Sequence, residues 1–419
     1  MKFKQIHYGW IMVILSMSTL AVHSMMMTTP GIFLQPVTTE FGWARGALSA
    51  AQSITMLVGG GLAILVGRLS DKYGPRPLIT ADGLLAGISF LLMSQINSLW
   101  QAYLIWGLLM GMAFSCSVIP ISSTIPRWFT RKRGMAMGLT VAGGSIGGVI
   151  WPPLTQWLIS SYDWRQAYAT LGIITLIVVI PTAQFLKHSP QRIGLEPYGE
   201  NETIVEQSSL PVVERFSLIH AIKTSRFWIF CSLQFCFMFI VQIINVHIVP
   251  HAVDIGILAM VAASTLSIIA LLNLIGKLVM GITSDRVGAR PALIACFGIF
   301  TLALIWLLFA EEAWMFYAFA LLFGFPYGGV ISVFTLISAE LFGLRYLGTI
   351  TAATFLLATI GGSIGPPLAG FTFDETGSYS LAFLICVILG ALAITLSFIL
   401  LRSKSYEDIN PIKSGNGGI

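Results

Sequence analysis

The sequence predicts an all-α membrane protein with twelve transmembrane helices arranged as two pseudo-symmetric bundles of six. Of the 419 residues, 56% are hydrophobic and only 10% are charged, whereas soluble domains carry about 25% charged residues. Apolar runs of eighteen or more residues recur along the chain, and each can cross a hydrocarbon core about 30 Å thick. One long polar segment separates six of these runs from the other six.

The apolar runs mark the predicted spans in chain order. The first run is too long for the apolar core of a signal peptide and lacks a cleavage site, so we assign it as span one. The twelve spans cover roughly residues 10–34, 47–67, 78–96, 99–125, 134–160, 166–186, 226–250, 257–282, 291–309, 313–339, 347–370 and 379–401. We therefore predict a bundle at 1–186, a cytoplasmic linker at 187–224, a second bundle at 225–402 and a cytoplasmic tail at 403–419.

The basic residues predict the orientation, because cytoplasmic loops carry an excess of Lys and Arg. With both termini and the linker in the cytoplasm, all but three of the 23 Lys and Arg residues lie on that side. The exceptions are Arg45 and Arg165 on the outer side and Lys277 inside a span. We expect a multi-pass protein of the cell inner membrane. The net charge of +5 follows from this topology and does not indicate a nucleic-acid partner.

The two halves of the chain repeat one another. Segment 67–77 (GRLSDKYGPRP) matches segment 281–291 (GITSDRVGARP). A second match joins 143–147 to 361–365, both reading GGSIG and both followed by a Pro-Pro pair. Repeated halves of six spans are typical of carriers in which one bundle rocks against the other around a central site.

The repeated loop resembles the loop motif of the major facilitator superfamily, between spans two and three and again between spans eight and nine. The resemblance implies that the loop biases the exchange between inward and outward states. Asp71 can meet helix amides or a basic partner, or it can be a solvated interfacial charge, and Gly74 permits a tight turn. The residues assigned to this motif are Gly67, Asp71, Gly74, Arg76, Asp285, Arg286 and Arg290.

Two further segments resemble the monocarboxylate transporter family within that superfamily. They are Tyr8-Gly9-Trp10 at the start of span one and 128–138 (WFTRKRGMAMG) leading into span five. The resemblance covers all twelve spans. It implies a secondary active transporter of small monocarboxylates such as lactate or pyruvate, working by proton symport and alternating access, and not an enzyme. The alternative is an exchanger for oxalate, formate or another small organic anion.

Lys277 is the most informative residue for substrate binding. It lies eight residues before Asp285, about 12 Å along a helix and close to the membrane midplane. Its equivalent in the first half is Ala63, so the repeat itself does not require a cation there. A charge inside the membrane costs about 2.5–3.5 kcal/mol or more, so it usually marks a functional site. We predict that Lys277 binds a carboxylate with Asn273, one helical turn earlier; the alternative is a lysine that snorkels to the interface.

The other candidates for the binding site are uncharged or aromatic. Family resemblance places His247 near the substrate and favours Tyr327 and Phe355 as contacts, while Ile331 follows Tyr327 by one turn. Each has a packing role as its alternative. For His23 in span one, packing is the favoured interpretation. Hydroxyl groups that can line the cavity belong to Ser115, Ser117 and Ser145.

A single cation at mid-depth suggests how transport is coupled. An anion bound to Lys277 makes a neutral pair, and its departure leaves the cation alone. Lys277 can then release its proton, with His247 sharing the proton work, which gives symport. Alternatively a second anion must bind first, which gives exchange. We expect the proton to be the coupling ion, with no metal or bound cofactor, and we expect a monomer in the lipid bilayer.

Overall fold

The computed structural model describes residues 7–199, 221–342 and 347–402, apart from a few side chains in the last two segments. Within these residues, twelve helical segments are long and apolar enough to cross a membrane, which confirms the predicted number of spans. The helices of the first half are α1 Tyr8–His23, α2 Met25–Thr28, α3 Pro30–Phe41, α4 Arg45–Tyr73, α5 Pro75–Met93, α6 Leu99–Ala102, α7 Met110–Thr124, α8 Arg133–Ser161 and α9 Trp164–Phe185. A π-helical turn at Tyr103–Leu109 joins α6 to α7.

The second half repeats this arrangement with uninterrupted helices. They are α10 Ser225–Asp254, α11 Ala259–Val287, α12 Ala289–Leu307, α13 Ala313–Phe342, α14 Leu347–Thr376 and α15 Ser380–Arg402. In the first half, by contrast, the first span is divided into α1, α2 and α3. The last of these begins at Pro30, because proline has no amide to donate and is accommodated in the first turn of a helix.

The repeated loop forms the same turn in both halves. Helix α4 is followed by Gly74, which has a φ of 86° and directly precedes Pro75, the first residue of α5. Helix α11 is followed by Gly288, which has a φ of 92°. Side chains with a Cβ are strained at such angles. The two glycines therefore allow consecutive membrane helices to reverse direction without a connecting loop.

Each half buries its own apolar cluster. In the first half the cluster includes Phe90 and Trp106, and in the second it includes Phe297, Phe300 and Phe323. These two cores make each set of six spans a bundle. We call the two sets the N-bundle (α1–α9) and the C-bundle (α10–α15).

The two ends of the molecule differ in the helix termini that they carry. The terminal face is the end where α1 begins at Tyr8, α4 ends at Tyr73 and α15 ends at Arg402. The far face is the opposite end, where α4 begins at Arg45 and α10 ends at Asp254.

Close helix packing explains the first GGSIG segment. A Cβ on Gly143 or Gly147 of α8 would run into the backbone carbonyls of Met17 and Ala21 in α1. Small residues allow such close approach between membrane helices. The segment therefore presses α8 directly against the backbone of α1.

The second GGSIG segment allows the same close helix packing in the C-bundle. A Cβ on Gly361 or Gly365 of α14 would run into the backbone at Phe235 and Phe239 of α10. Corresponding residues in these helices differ by 218 positions, so the two halves can be aligned through their packing as well as their sequence.

A valine at Gly143 is expected to lower the melting temperature of the purified protein by several degrees. The added side chain overlaps the α1 backbone, and overpacking costs about 1–3 kcal/mol or more. The matched control is Gly138→Val on the same helix, where a Cβ meets nothing within 4 Å. Thermal unfolding in detergent measures both variants, and equal melting temperatures would contradict this packing role.

Candidate functional site

A cavity of about 290 Å³ lies between the two bundles. Pockets for small molecules commonly run from about 300 to 1,000 Å³, so this one suits a small ligand. Its walls are mostly apolar, and polar groups reach it from both bundles. These polar side chains include His23, Ser24, Thr28, Ser122, Ser145, Asn245, Asn273, Lys277 and Tyr327.

A chain of hydrogen bonds crosses the cavity between the bundles. The ammonium of Lys277 on α11 lies 3.4 Å from the hydroxyl oxygen of Ser145 on α8. That hydroxyl donates to the side-chain oxygen of Asn273 at 3.2 Å. Among the described residues, the Asn273 amide nitrogen Nδ2 has no hydrogen-bond partner, and no ion pair to Lys277 is formed. Two donors, one of them charged, therefore face the cavity with capacity to bind an anion.

Two glycines bring these groups onto one wall. A Cβ on Gly276 of α11 would overlap the carbonyl of Phe325, and one on Gly328 of α13 would overlap the carbonyl of Asn273. The helices α11 and α13 therefore touch backbone to backbone. As a result Lys277 and Tyr327 both line the cavity.

Four of the predicted site residues are brought together here. Lys277, Asn273, Tyr327 and Ile331 line the same cavity. The ring of Tyr327 packs against Phe237 with centroids 5.7 Å apart. The aromatic side chain is thus held by the C-bundle core while one edge faces the cavity.

Two other predicted residues lie outside the cavity lining. His247 is fully buried; its Nε2 lies 2.8 Å from the carbonyl oxygen of Pro366, and its Nδ1 lies 3.3 Å from the hydroxyl of Tyr379. Phe355 on α14 is 39% exposed. In this conformation neither side chain lies where a ligand at Lys277 would touch it, and their proposed substrate contacts remain predictions.

The structure also brings together a polar cluster that the sequence pattern does not predict. His23 Nδ1 lies 2.8 Å from the hydroxyl of Ser117 and 3.5 Å from Oδ1 of Asp82. The sequence favours packing for His23, and its ring does stack on Phe114 at 5.5 Å. One feature of the sequence could have indicated this cluster: Asp82 is a carboxylate seven residues into the apolar helix α5. Only the packing of three helices shows that it faces a histidine.

The far face is closed by an ion-pair network between the bundles. Two nitrogens of Arg45 donate to the two carboxylate oxygens of Asp254 at 2.5 and 2.9 Å. The guanidinium also donates to the Tyr379 hydroxyl at 2.9 Å and lies 4.0 Å from the centre of the Phe373 ring. Below it, the Ser53 hydroxyl donates to the carbonyl of Ser363, so α4 and α14 are joined over several turns.

Arg165, the other arginine on the far face, is held within one bundle. It donates to Glu40 Oε1 at 2.8 Å and stacks on the ring of Trp164 at 4.1 Å. Both arginines that lie on the side opposite to most basic residues are thus neutralised by carboxylates.

The first copy of the loop motif forms a polar network inside the N-bundle. Asp71 accepts a hydrogen bond from Arg127 at 2.8 Å, and Arg127 donates to His188 Nε2 at 2.7 Å. Burial and the charge of Arg127 lower the pKa of His188, so its imidazole is neutral at pH 7 and can accept this bond. Arg76 donates twice to Gln184, at 2.9 and 2.7 Å.

The remaining motif residues have different surroundings. Arg290 in the second copy pairs with Glu340 at 2.9 Å, and Arg286 is exposed in the last turn of α11. The side chain of Asp285 lies outside the described residues. A Cβ on Gly67 would lie 3.9 Å from Ile119, which is ordinary contact distance. The control of conformation by these residues stays a prediction.

Twelve membrane helices in two bundles around a shared central cavity define a polytopic membrane carrier. The family model of the Major Facilitator Superfamily matches residues 16–276 and 230–417, and the chain belongs to this superfamily. The predicted fold class and superfamily are thereby confirmed. Its members are transporters and not enzymes.

Curated relatives carry the name of the narrower family. Monocarboxylate transporter 13 of Bos taurus is 28% identical, with 90% of this chain and 86% of that protein aligned. Monocarboxylate transporter 11 of Homo sapiens is 27% identical, with 94% and 82% aligned. The uncharacterized transporter YcxA of Bacillus subtilis (strain 168) is 26% identical, with 88% and 89% aligned. The chain is therefore a transporter related to monocarboxylate transporters.

A solved structure shares the fold. A bacterial homolog of the human lysosomal transporter Spinster, in an inward-facing and unoccupied conformation, superposes with a TM-score of 0.74. The match covers 94% of this chain and 97% of that one at 13% identity. At this identity the likeness concerns the fold alone.

Proposed function

We propose that this protein is a secondary active transporter of small monocarboxylates of the lactate and pyruvate type, coupled to protons by symport. The observation that carries the proposal is the ammonium of Lys277, which faces the cavity. No carboxylate among the described residues pairs with it. Its one hydrogen bond there is a long contact with the Ser145 hydroxyl. The names of the curated relatives support the same substrate class.

The donors in the cavity match one carboxylate group. One oxygen binds the Lys277 ammonium through a charge-assisted hydrogen bond, and the other accepts from Nδ2 of Asn273. Lysine lacks the two-pronged geometry of arginine, so recognition is by charge more than by shape. The apolar surfaces of Tyr327 and Ile331 then face the carbon end of the anion. A cavity with donors at one end and apolar surfaces at the other accommodates several small organic acids.

The charge of the cavity favours one carboxylate over two. Among its described lining residues, Lys277 is the sole Lys or Arg. A dicarboxylate would leave its second negative charge without a basic partner in a low-dielectric site, which costs several kcal/mol. We therefore expect oxalate to be a poorer substrate than lactate and pyruvate.

We also propose the membrane and the orientation from the distribution of basic residues. The terminal face, with the clusters around Arg76 and Arg127, lies in the cytoplasm of the inner membrane. The far face then lies outside, and its closure by Arg45 makes this the conformation shut to the exterior. The protein would work as a monomer, because the central cavity is built by one chain alone.

Protons are proposed to move together with the anion. Lys277 in its charged form attracts the anion, and a proton that travels with the anion removes the net charge of transport. His247, the second residue assigned to proton coupling, lies in the far-face closure through its contact with Tyr379. The alternative is exchange of one anion for another.

The test uses purified protein in proteoliposomes that contain a pH-sensitive dye. Radiolabelled lactate, pyruvate, oxalate and formate are added in turn, and label uptake and internal pH are followed together. We expect lactate and pyruvate uptake with internal acidification and little oxalate uptake. Transport only against a trapped anion, without acidification, would replace symport by exchange. Absence of lactate and pyruvate transport would overturn the substrate class.

A further inference from the structure

We propose that His23 and Asp82 form the proton-binding site of this transporter, on the N-bundle wall of the cavity that holds Lys277. This inference rests on the proposed symport and assigns its proton to a pair distinct from the anion-binding lysine. The pair joins two membrane helices, α1 and α5, with Ser117 of α7 as a third partner.

The pair is buried and incompletely satisfied. His23 is 6% exposed and Asp82 is 1% exposed. Within the described residues, Nε2 of His23 and Oδ1 of Asp82 have no hydrogen-bond partner. Buried polar atoms without partners are rare in proteins and call for an explanation. A proton that is bound in one step of a transport cycle and released in another supplies such an explanation.

The geometry gives the proton a defined place. With the Nδ1 proton of His23 directed toward Ser117 and Asp82, the lone pair of Nε2 is unoccupied. The histidine ring lines the cavity, and Nε2 itself is buried in this conformation. Binding of H⁺ forms the second N–H bond and turns the 3.5 Å contact between His23 and Asp82 into an ion pair. Release to water on the other side breaks that same N–H bond.

The internal repeat argues against a purely structural role. The packing alignment of α1 with α10 places Val241 at the position of His23, because equivalent residues there differ by 218. The loop alignment of 67–77 with 281–291 places Cys296 at the position of Asp82. Both equivalents are buried in the C-bundle. The same fold is thus built without a polar pair, just as it is built without a cation at Ala63, the equivalent of Lys277.

The charges balance in both states of the cavity. Without substrate, the positive Lys277 offsets the negative Asp82 while His23 is neutral. A bound monocarboxylate adds one negative charge, and one proton on His23 cancels it. Both states are then neutral in sum, which avoids the penalty for moving a net charge through the membrane. One anion and one proton per cycle follow from this balance.

Few other charged or titratable groups surround the pair. The thiol of Cys116 on α7 lies close enough to Asp82 to interact with it electrostatically, and Lys277 lies across the cavity. The acidic and basic residues of the neighbouring helices α4, α8 and α9, such as Arg45, Arg133 and Arg165, lie at helix ends. Among the described residues, His23 and Asp82 are therefore the imidazole and the carboxylate at this depth on the N-bundle side.

The test separates proton coupling from substrate transport. His23→Gln and Asp82→Asn are assayed for exchange of labelled against unlabelled lactate at equal pH, which moves no net proton. The same vesicles are assayed for lactate accumulation driven by an inward proton gradient of one pH unit, which for one proton supports up to about tenfold accumulation. We expect accumulation to fall in both variants to the level without a gradient. Exchange should persist in Asp82→Asn, whose loaded cavity has no net charge, and should be slower in His23→Gln, whose loaded cavity keeps one negative charge. Cys116→Ser, a buried change beside Asp82, is the control and should retain both.

A second readout guards against variants that fold poorly. Lactate added to wild-type protein in weakly buffered detergent solution should remove about one proton per protein from solution, and neither variant should do so. Wild type that transports lactate without proton uptake refutes the symport itself. Variants that still accumulate lactate under a gradient refute only the assignment to this pair. A folded Asp82→Asn protein that loses exchange as well also refutes it, because the pair would then belong to the substrate site.

Discussion

Replacement of Lys277 by glutamine is expected to reduce lactate and pyruvate transport by at least about 100-fold. The variant keeps a hydrogen-bond donor but loses the charge that binds the carboxylate, and breaking a buried ion pair costs about 3–5 kcal/mol. Since 1.4 kcal/mol is a factor of ten, the lower end of that range already exceeds 100-fold. Initial rates of labelled lactate exchange in proteoliposomes measure the loss. Exchange moves no net proton, so the result reports binding and translocation and not proton coupling.

Two further variants sharpen this experiment. Lys277→Arg keeps the charge and should retain transport with an altered substrate preference, because the guanidinium binds a carboxylate through two parallel hydrogen bonds. Lys223→Gln changes an exposed lysine outside the spans and should transport like wild type. A Lys277→Gln protein with wild-type rates would remove the cation from the mechanism.

The same variant is expected to be more stable than wild type without substrate. Lys277 balances Asp82 only across the cavity, and no carboxylate among the described residues pairs with it directly, so its desolvated ammonium destabilises the empty carrier. Functional sites often carry such a stability cost. Thermal unfolding in detergent should show a higher melting temperature for Lys277→Gln, and added lactate should stabilise wild type only. A lower melting temperature would indicate a structural role for the lysine.

Replacement of Arg45 by glutamine is expected to open the far face. Arg45 forms two hydrogen bonds with Asp254 and one with Tyr379 across the bundles. Charge-assisted hydrogen bonds contribute about 1.5–3 kcal/mol where buried, and less at this partly exposed position. A loss of about 1.4 kcal/mol or more shifts the equilibrium between closed and open far face at least about tenfold.

The shift is measured by thiol labelling from the far side. A single cysteine at Ser363, which is buried where α14 meets α4, is introduced into a cysteine-free background. Its labelling rate should rise about tenfold or more in Arg45→Gln. The matched control is Arg165→Gln, which removes an ion pair of the same face that lies inside the N-bundle. Equal labelling rates in the two variants would exclude Arg45 as a lock between the bundles.

Much of the fold can be predicted from the sequence because membrane insertion depends on local composition. The length of each apolar run decides whether it spans the membrane, and the loop 67–77 and its copy are visible without any structure. The depth of Lys277 also follows from its distance to the end of its own helix. The first span is also predicted, although its division into separate helices before Pro30 is not.

The partners of the functional groups could not be predicted, because they lie on different helices far apart in sequence. Ser145 bonds to Lys277 across 132 residues, and Ser117 reaches His23 across 94. Membrane helices are apolar all round, so the hydrophobic pattern does not show which side faces the cavity. Tyr327 and Phe355 are both aromatic residues inside spans, yet one lines the cavity in this conformation and the other does not.

The sequence alone determined the number of helices, their repeat and the presence of a cation at mid-depth, since each depends on composition along one segment. The tertiary structure decided which side chains share the central cavity, which pair closes the far face, and that Asp82 lies beside a histidine. Those outcomes depend on the rotation and close approach of whole helices. Their contacts are set by small residues such as Gly143 and Gly328, whose neighbours become known only when the helices are packed.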